Sequence, residues 1–175
     1  MTWKSHIAIA TAVTIPFNPM GIPLSILGST APDWSEGIMK MFGHHVEHRG
    51  ATHYLIVPLA IIGLSFIVDY HDFIFWFGIG YFTHWFADSL TVSGVPLAPN
   101  ARHKIHFFGG KFRTGDPIEY IISFGLLLIV LLIVKPDLNH IEDEYKYNPY
   151  FTEYGKLHDQ GIIDEKEYHE KRFSF

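Results

Sequence analysis

Three long apolar runs dominate the chain and predict three helices buried in lipid or in a large core. They cover residues 53–68, 73–90 and 118–134. Each run approaches the roughly 20 residues that a helix needs to cross a bilayer. The last run contains "LLLIVLLIV", which is apolar on every side and has no amphipathic period. This pattern favours membrane helices over the alternative, a soluble α-helical bundle with unusually apolar helices.

The first apolar region, residues 7–31, is interrupted by "PFNPMGIP", which contains three prolines, an asparagine and a glycine. Proline inside a helix removes a hydrogen bond and clashes with the preceding turn, so a straight span is not expected. We expect a hairpin of two half-helices, at about 6–15 and 22–31. The hairpin would return the chain to its starting side and bring His6 near Asp33. A continuous helix would separate these two residues by roughly 40 Å.

Polar segments follow the apolar scaffold. Residues 95–117 are predicted to form a polar loop that carries Arg102 and Lys104. From residue 135 onward the chain is polar and acidic, and its end predicts a helix, a stop at Gly161 and a second helix. Cysteine is absent, which excludes a disulfide framework and a thiol nucleophile. Any metal must therefore be held by nitrogen and oxygen ligands.

The stretch "HWFAD" places a histidine and a carboxylate four residues apart on a predicted helix, as His84 and Asp88. Both side chains then project from one face, where they can bind a metal together. Ionisable groups within a membrane helix are costly, so Asp88 indicates a function. The alternative is structural, with Asp88 bonded to loop amides and His84 as its partner.

The stretch "HRGATH", residues 48–53, precedes the next apolar run. His48 lies in the approach and His53 in the first turn of the predicted helix. Arg49 cannot bind a metal, but its guanidinium suits a planar anion such as phosphate or carboxylate. The alternative is a surface loop with two solvated histidines.

If residues 1–33 form a hairpin, the helix predicted at 53–68 leads away from the side of the site and the helix predicted at 73–90 leads back to it. The candidate ligands then converge at one membrane face: His6, Asp33, His53, His84, Asp88 and, at the start of the next span, Glu119.

At these residues the sequence resembles the YdjM-like family of membrane-bound metal-dependent hydrolases, whose founding member is controlled by the LexA repressor. The likeness covers roughly residues 1–134. It rests on His6, "APD" (31–33), "HRGATH" (48–53), "GYFTHWFADSLT" (80–91), "GVPLAP" (94–99) and "GDPIE" (115–119). This chain has Ser35 where the family usually has a second aspartate. The family's activity is itself inferred from its ligand pattern, so the resemblance implies a reaction class and no particular substrate.

Two further resemblances concern the ligand order and the tail. The ligand order is similar to that of zinc-dependent phospholipase C and related nucleases, which implies phosphoester hydrolysis. The correspondence runs through His6, Asp33, His53, His84, Asp88 and Glu119. The tail sequence "KLHDQGIIDEKEYHEKRF" resembles the short C-terminal helical-hairpin domain known as SHOCT. That domain implies a role in assembly or regulation.

Together these patterns predict an all-α fold, a polytopic membrane helical bundle with a broken N-terminal helical hairpin and a small C-terminal helical hairpin. We expect residues 1–134 to form a membrane-embedded, metal-dependent hydrolase-like domain. Residues 135–149 are expected to be a linker and residues 150–175 a SHOCT-like hairpin. The resemblance implies an integral protein of a bacterial inner (cytoplasmic) membrane, encoded by a bacterium or a phage.

The expected function is that of an integral membrane hydrolase acting on a phosphoester or another anionic lipid-linked substrate. Its cofactor is expected to be one or more divalent metals, zinc above all, which lower the pKa of a bound water to about 7. The predicted metal ligands are His6, Asp33, His48, His53, His84, Asp88 and Glu119. Asp33 is also predicted to bridge metals or to accept the proton of the water. Arg49, with Arg102 or Lys104, is predicted to hold the anionic substrate.

Two other functions remain open at this point. One is a metal-binding or transport protein, in which the same ligands carry an ion across the membrane. The other is a non-catalytic membrane assembly protein that acts through its C-terminal tail. The expected partners are the lipid bilayer, a lipid or lipid-linked substrate and a second copy bound through the tail. The near balance of charge before residue 135 predicts no nucleic-acid partner.

Overall fold

The structure is a computed structural model of the 175-residue chain. It describes residues 1–44, 49–68, 72–99, 103–110, 112–134 and 154–166. The helices are α1 (Trp3–Thr14), α2 (Ile22–Met41), α3 (Ile56–Val68), α4 (Phe73–Ser89), α5 (Pro117–Val134) and α6 (Tyr154–Asp159). The chain divides into two compact units, residues 1–134 and 135–175. The mostly helical content agrees with the all-α prediction.

The broken N-terminal hairpin is confirmed. The helix α1 ends at Thr14, and α2 begins at Ile22 after a short 3-10 turn. The side chain of Asn18 accepts hydrogen bonds from the N–H groups of Met20 and Gly21, which stabilises the turn between the two arms. The second arm is longer than predicted, because α2 continues through Pro32 to Met41.

The central helix pair is α2 and α4, which cross at two glycines. A Cβ atom added to Gly28 would lie 2.0 Å from the carbonyl oxygen of Phe77 on α4. A Cβ atom added to Gly80 would lie 1.9 Å from the carbonyl oxygen of Ser25 on α2. Only glycine permits backbones to approach this closely, which is the packing that membrane helices use. The crossing brings the C-terminal half of α4 beside the middle of α2.

The polar segment after α4 is not wholly a loop. Strand β1 (Val95–Pro96) pairs antiparallel with strand β2 (Lys104–Ile105). Val95 is fully buried, so its side chain fixes this small ribbon against the helical body. The ribbon departs from a purely helical fold, because the segment between α4 and α5 contains two prolines, Pro96 and Pro99, that disfavour a helix there.

The outer helices are α3 and α5. By length and composition, α5 is the one described helix long and apolar enough to cross a membrane, whereas α3 is a shorter apolar helix. Helix α5 packs on α1, and α3 packs on α4. The buried residues of α5 are Glu119 and Ser123, and those of α3 are Pro58 and Ser65. In both helices the small or polar residues therefore face inward, while the large apolar ones face outward.

In the second unit, α6 ends as the sequence predicts. Gly161 adopts a left-handed conformation with φ of 68°. Its N–H donates to the carbonyl of His158, and the N–H of Ile162 donates to that of Leu157. This pattern closes the C-terminal end of a helix. The second helix of the predicted hairpin falls mostly outside the described residues.

Candidate metal centre

Five predicted ligands lie together in the interior of the first unit. His6 comes from α1, Asp33 from α2, and both His84 and Asp88 from α4, while His53 ends the short 3-10 turn that precedes α3. Among the described residues, two groups of three have ligand atoms within 4.8 Å of one another. They are His6, Asp33 and His84, and His53, His84 and Asp88. The three histidines and Asp88 are almost fully buried.

His84 is oriented by the backbone of α2. Its Nδ1 lies 2.7 Å from the carbonyl oxygen of Ser29, which can only accept a hydrogen bond. Nδ1 therefore carries the hydrogen, and in the neutral ring Nε2 offers a lone pair to the cluster. A histidine ligand is commonly held in this way through its other nitrogen. Nε2 of His84 is thus the ring nitrogen available to a metal ion.

His53 is held similarly from its own turn. Its Nδ1 lies 2.9 Å from the hydroxyl oxygen of Thr52. Its Nε2 faces Nε2 of His84 at 3.1 Å. The hydroxyl of Tyr81 on α4 donates to the carbonyl of Thr52 and ties the turn to the helix. The turn, rather than a regular helix, thus positions His53.

His6 provides the test of whether a metal fits. Its ring stacks on that of His84, with centroids 3.8 Å apart. Both of its ring nitrogens are buried, and neither makes a hydrogen bond of good geometry among the described residues, although Nε2 lies 3.4 Å from Oδ1 of Asp88. Buried polar atoms that lack good hydrogen bonds are rare in proteins and call for an explanation. A metal ion bound at Nε2 would give this nitrogen a partner at bonding distance.

The spacing of the ligand atoms also fits zinc. Bonds of 2.0–2.2 Å in a tetrahedral site place neighbouring ligand atoms about 3.3 Å apart. Nε2 of His84 lies 3.8 Å from Oδ2 of Asp88 and 3.9 Å from Oδ1 of Asp33. Nε2 of His53 lies 3.9 Å and 3.7 Å from the same two oxygens. Small side-chain movements would bring this set of nitrogen and oxygen donors onto one ion.

Asp88 is held by cationic groups. The guanidinium Nε of Arg49 lies 2.9 Å from its Oδ2, and the amino group of Met1 contacts its Oδ1. Arg49 also donates from one terminal nitrogen to the hydroxyl of Thr91 at 2.8 Å and to the carbonyl of Gly94 at 3.3 Å. Arg49 is buried and has φ of 59°, so the fold holds its backbone in an unusual conformation. These contacts allow Arg49 to position Asp88, and the binding of an anionic substrate by Arg49 stays a prediction.

Glu119 lies outside both ligand groups of the described residues. Its Oε1 accepts from the N–H and the hydroxyl of Thr2, at 2.6 Å and 2.7 Å. Its Oε2 accepts from the N–H of Gly115 at 2.7 Å. These bonds join the start of α1 to the start of α5. Glu119 therefore lies at the predicted end of the bundle, and its role as a metal ligand stays a prediction.

Three predicted site residues remain. Two of them, His48 and Arg102, lie outside the described residues. Lys104 is exposed on β2 and does not line the cavity described below. Ser35, which replaces the family's usual aspartate, donates to the carbonyl of Pro32 in its own helix.

A polar cavity of about 400 Å³ opens beside the cluster. Asp33, Asp88 and Arg49 line it on the side of the cluster, and Glu36 and Lys40 extend it along α2. The sequence analysis did not select Glu36 or Lys40. Their spacing from Asp33, three and seven residues, was the available signal, because it places them on the face of α2 that bears Asp33.

The comparisons with known proteins are consistent with this architecture. The family model described as "YdjM inner membrane protein" matches residues 1–140. The chain belongs to this inner membrane protein family. The match confirms the resemblance inferred from the sequence motifs and the location in the inner membrane, and it ends before the segment likened to SHOCT. No curated protein and no solved structure matches the chain significantly.

Proposed function

We propose that this member of the YdjM family is an integral membrane hydrolase that uses zinc to cleave a phosphoester or another anionic lipid-linked substrate. The observation that carries the proposal is the buried cluster of three histidines and two aspartates beside a polar cavity. Isolated ionisable groups are costly inside a membrane protein, and these five come from four separate segments. Their convergence, together with the ring nitrogens of His6 that lack good hydrogen bonds, favours a metal centre over a structural hydrogen-bond network.

Each residue has a distinct task in this proposal. His6, His53, His84 and Asp88 hold the ion, and Arg49 keeps Asp88 in place. Zinc, when bound, supplies a Lewis acid and acidifies a water molecule to a pKa of about 7. The Asp33 side chain is 40% exposed and lines the cavity, unlike the buried ligands. Asp33 can therefore accept the proton of a water that enters from the cavity.

The arrangement of the outer helices supports several membrane-embedded helices rather than α5 alone. In α3 the exposed side chains include Leu59, Phe66 and Ile67, whereas Ser65 is buried. In α5 Ile121 and Leu132 are exposed, while Glu119 and Ser123 are buried. Soluble proteins rarely expose contiguous apolar surface of this extent. A lipid environment explains it, and it supports a substrate at or near the bilayer for the proposed enzyme.

Metal analysis of the purified protein tests the proposal. The wild-type protein, purified in detergent and dialysed against zinc, should retain at least one zinc per chain by mass spectrometry. His84→Ala and Asp88→Ala should lose most of it, because each removes a ligand from the cluster. His44→Ala and His103→Ala are the matched controls, since both side chains are exposed, and they should keep wild-type zinc.

Hydrolysis of bis-p-nitrophenyl phosphate by the same preparations then tests the reaction. The wild-type and control proteins should release nitrophenol, and the two ligand variants should not. Absence of zinc from the wild-type protein, or full activity in the ligand variants, would refute the proposed function. Zinc binding without hydrolysis, combined with zinc uptake into protein-containing liposomes, would instead identify a transport protein.

A further inference from the structure

We propose that the cavity beside the cluster binds a phosphate group of the substrate and that Lys40 is the residue that binds it. The proposal rests on the proposed function, because it assumes a divalent metal in the cluster. Lys40 is then the group in the cavity that recognises the substrate, and the class of substrate recognised is a phosphate ester.

The first argument is the placement of Lys40 on α2. Asp33, Glu36 and Lys40 follow one another at helical spacing, and all three line the cavity. Side chains on a helix tilt toward its N-terminal end, so Lys40 reaches back over Glu36 toward Asp33. The contact between Nζ of Lys40 and Oε1 of Glu36, at 2.5 Å, shows this direction. The ammonium group therefore lies on the side of the cavity that leads to the metal cluster.

The second argument is the availability of Lys40. The Lys40 side chain is 49% exposed, and an ammonium group has three N–H donors. The contact with Glu36 leaves donors for a ligand. Arg49 is 5% exposed, and its guanidinium is engaged by Asp88, Thr91 and Gly94. Of the two basic side chains that line the cavity, Lys40 is thus the one that can reach a substrate.

The third argument is the balance of charge. The groups that line the cavity include three carboxylates, on Asp33, Glu36 and Asp88, and three cations, on Lys40, Arg49 and the N-terminus of Met1. A divalent ion in the cluster adds two positive charges to this balanced set. The cavity then attracts an anion more strongly when the metal is present. A phosphate ester suits such a site, because its oxygens can accept from Lys40 while it remains close to the metal.

The size of the cavity agrees with this class of ligand. Its volume of about 400 Å³ lies within the roughly 300–1,000 Å³ of small-molecule sites. Its lining is polar, with Ser93 and Thr114 beside the charged groups. It can therefore take a phosphorylated head group, whose oxygens find polar partners there.

Phosphate binding to the zinc-loaded protein tests the proposal. Inorganic phosphate is the probe, and its affinity for the detergent-purified protein is measured by isothermal titration calorimetry beside the zinc content of each sample. Lys40→Ala should retain zinc and weaken phosphate binding by roughly tenfold or more, because a hydrogen bond to a charged group is lost. Lys40→Arg should keep the affinity within about threefold, since the positive charge remains. Lys104→Ala is the matched control and should bind phosphate as the wild type does, because Lys104 is exposed outside the cavity.

The outcomes separate this proposal from the proposed function. If Lys40→Ala holds zinc and binds phosphate as tightly as the wild type, the assignment of Lys40 is wrong while the metal centre stands. A zinc-loaded wild-type protein that does not bind phosphate refutes the phosphate site in the same way. If the wild-type protein takes up no zinc, the proposed function fails, and the phosphate site fails with it because the cavity lacks the added positive charge of the metal.

A bilayer version of the measurement distinguishes the two sources of phosphate. The protein is reconstituted into phosphatidylcholine nanodiscs with or without phosphatidic acid, and phosphate binding is measured again. Weaker binding in the presence of phosphatidic acid, absent in Lys40→Ala, supports a lipid head group as the ligand. Equal binding in both bilayers, with the loss in Lys40→Ala retained, supports a soluble phosphate ester. Weaker binding that persists equally in Lys40→Ala contradicts the proposal.

Discussion

Helices α4 and α5 have nearly the same length and are both rich in apolar residues, but they lie in opposite environments. Ten of the 17 residues of α4 are buried, including His84 and Asp88. Only two of the 18 residues of α5 are buried, and these are Glu119 and Ser123. An apolar run therefore does not by itself indicate a position in the protein interior. In a membrane protein, small and polar residues identify the interior, because apolar side chains are equally stable in lipid.

The largest effect should come from glycine at the crossing of α2 and α4. Gly80→Ala places a Cβ atom 1.9 Å from a backbone oxygen of α2, so the two helices must separate. We expect a loss of about 3 kcal/mol in the free energy of unfolding, as for overpacked cores. Gly125→Ala on α5 is the matched control, because its Cβ atom meets no heavy atom of the described structure within 4 Å. Thermal unfolding in detergent measures both variants, and equal melting temperatures would contradict the distinction between the two helices.

A smaller effect should follow from the buried carboxylate of α5. Glu119→Gln keeps the size of the side chain but directs an amide N–H₂ at groups that now donate to Glu119. We expect a loss of about 2 kcal/mol in stability, within the range for a buried group left unsatisfied. The zinc content should stay at the wild-type level, because Glu119 lies outside the cluster. Loss of zinc at unchanged stability would restore Glu119 as the ligand that the sequence predicted.

The smallest effect concerns the hydroxyl of Thr52, which orients the proposed ligand His53. Thr52→Val removes the contact between the Thr52 hydroxyl and Nδ1 of His53 while keeping the shape of the side chain. Zinc affinity should fall by roughly 10- to 100-fold, as it does when such supporting contacts are lost. Ser123→Ala on α5 is the control, because its hydroxyl donates only to carbonyls of its own helix in the described structure. Competition with a fluorescent zinc chelator measures both, and an equal change in the two variants would show that the Thr52 contact is not specific to the site.

The sequence alone was enough to locate most of the helices and to predict five residues, His6, Asp33, His53, His84 and Asp88, that the structure brings together. The three apolar runs predicted α3, α4 and α5 to within a few residues, because a bilayer requires helices of a set length and composition. The prolines around Asn18 predicted the break between α1 and α2, since several prolines together with asparagine and glycine within eight residues disfavour a continuous helix. His84 and Asp88 were predicted to share a face because their spacing is that of one helical turn.

The tertiary structure decided what each of the charged side chains contacts. Arg49 and Glu119 carry charges that suit a substrate or a metal, and only the folded contacts show that they hold Asp88 and join α1 to α5. Glu36 and Lys40 belong to no recognisable sequence motif. Only the structure shows that they line the cavity, because the face of α2 that bears them is turned toward the cluster. Local sequence determines which residues share a helix face. Which faces meet depends on the close glycine crossing of α2 and α4, which joins residues about 50 positions apart and leaves no periodic pattern in the sequence.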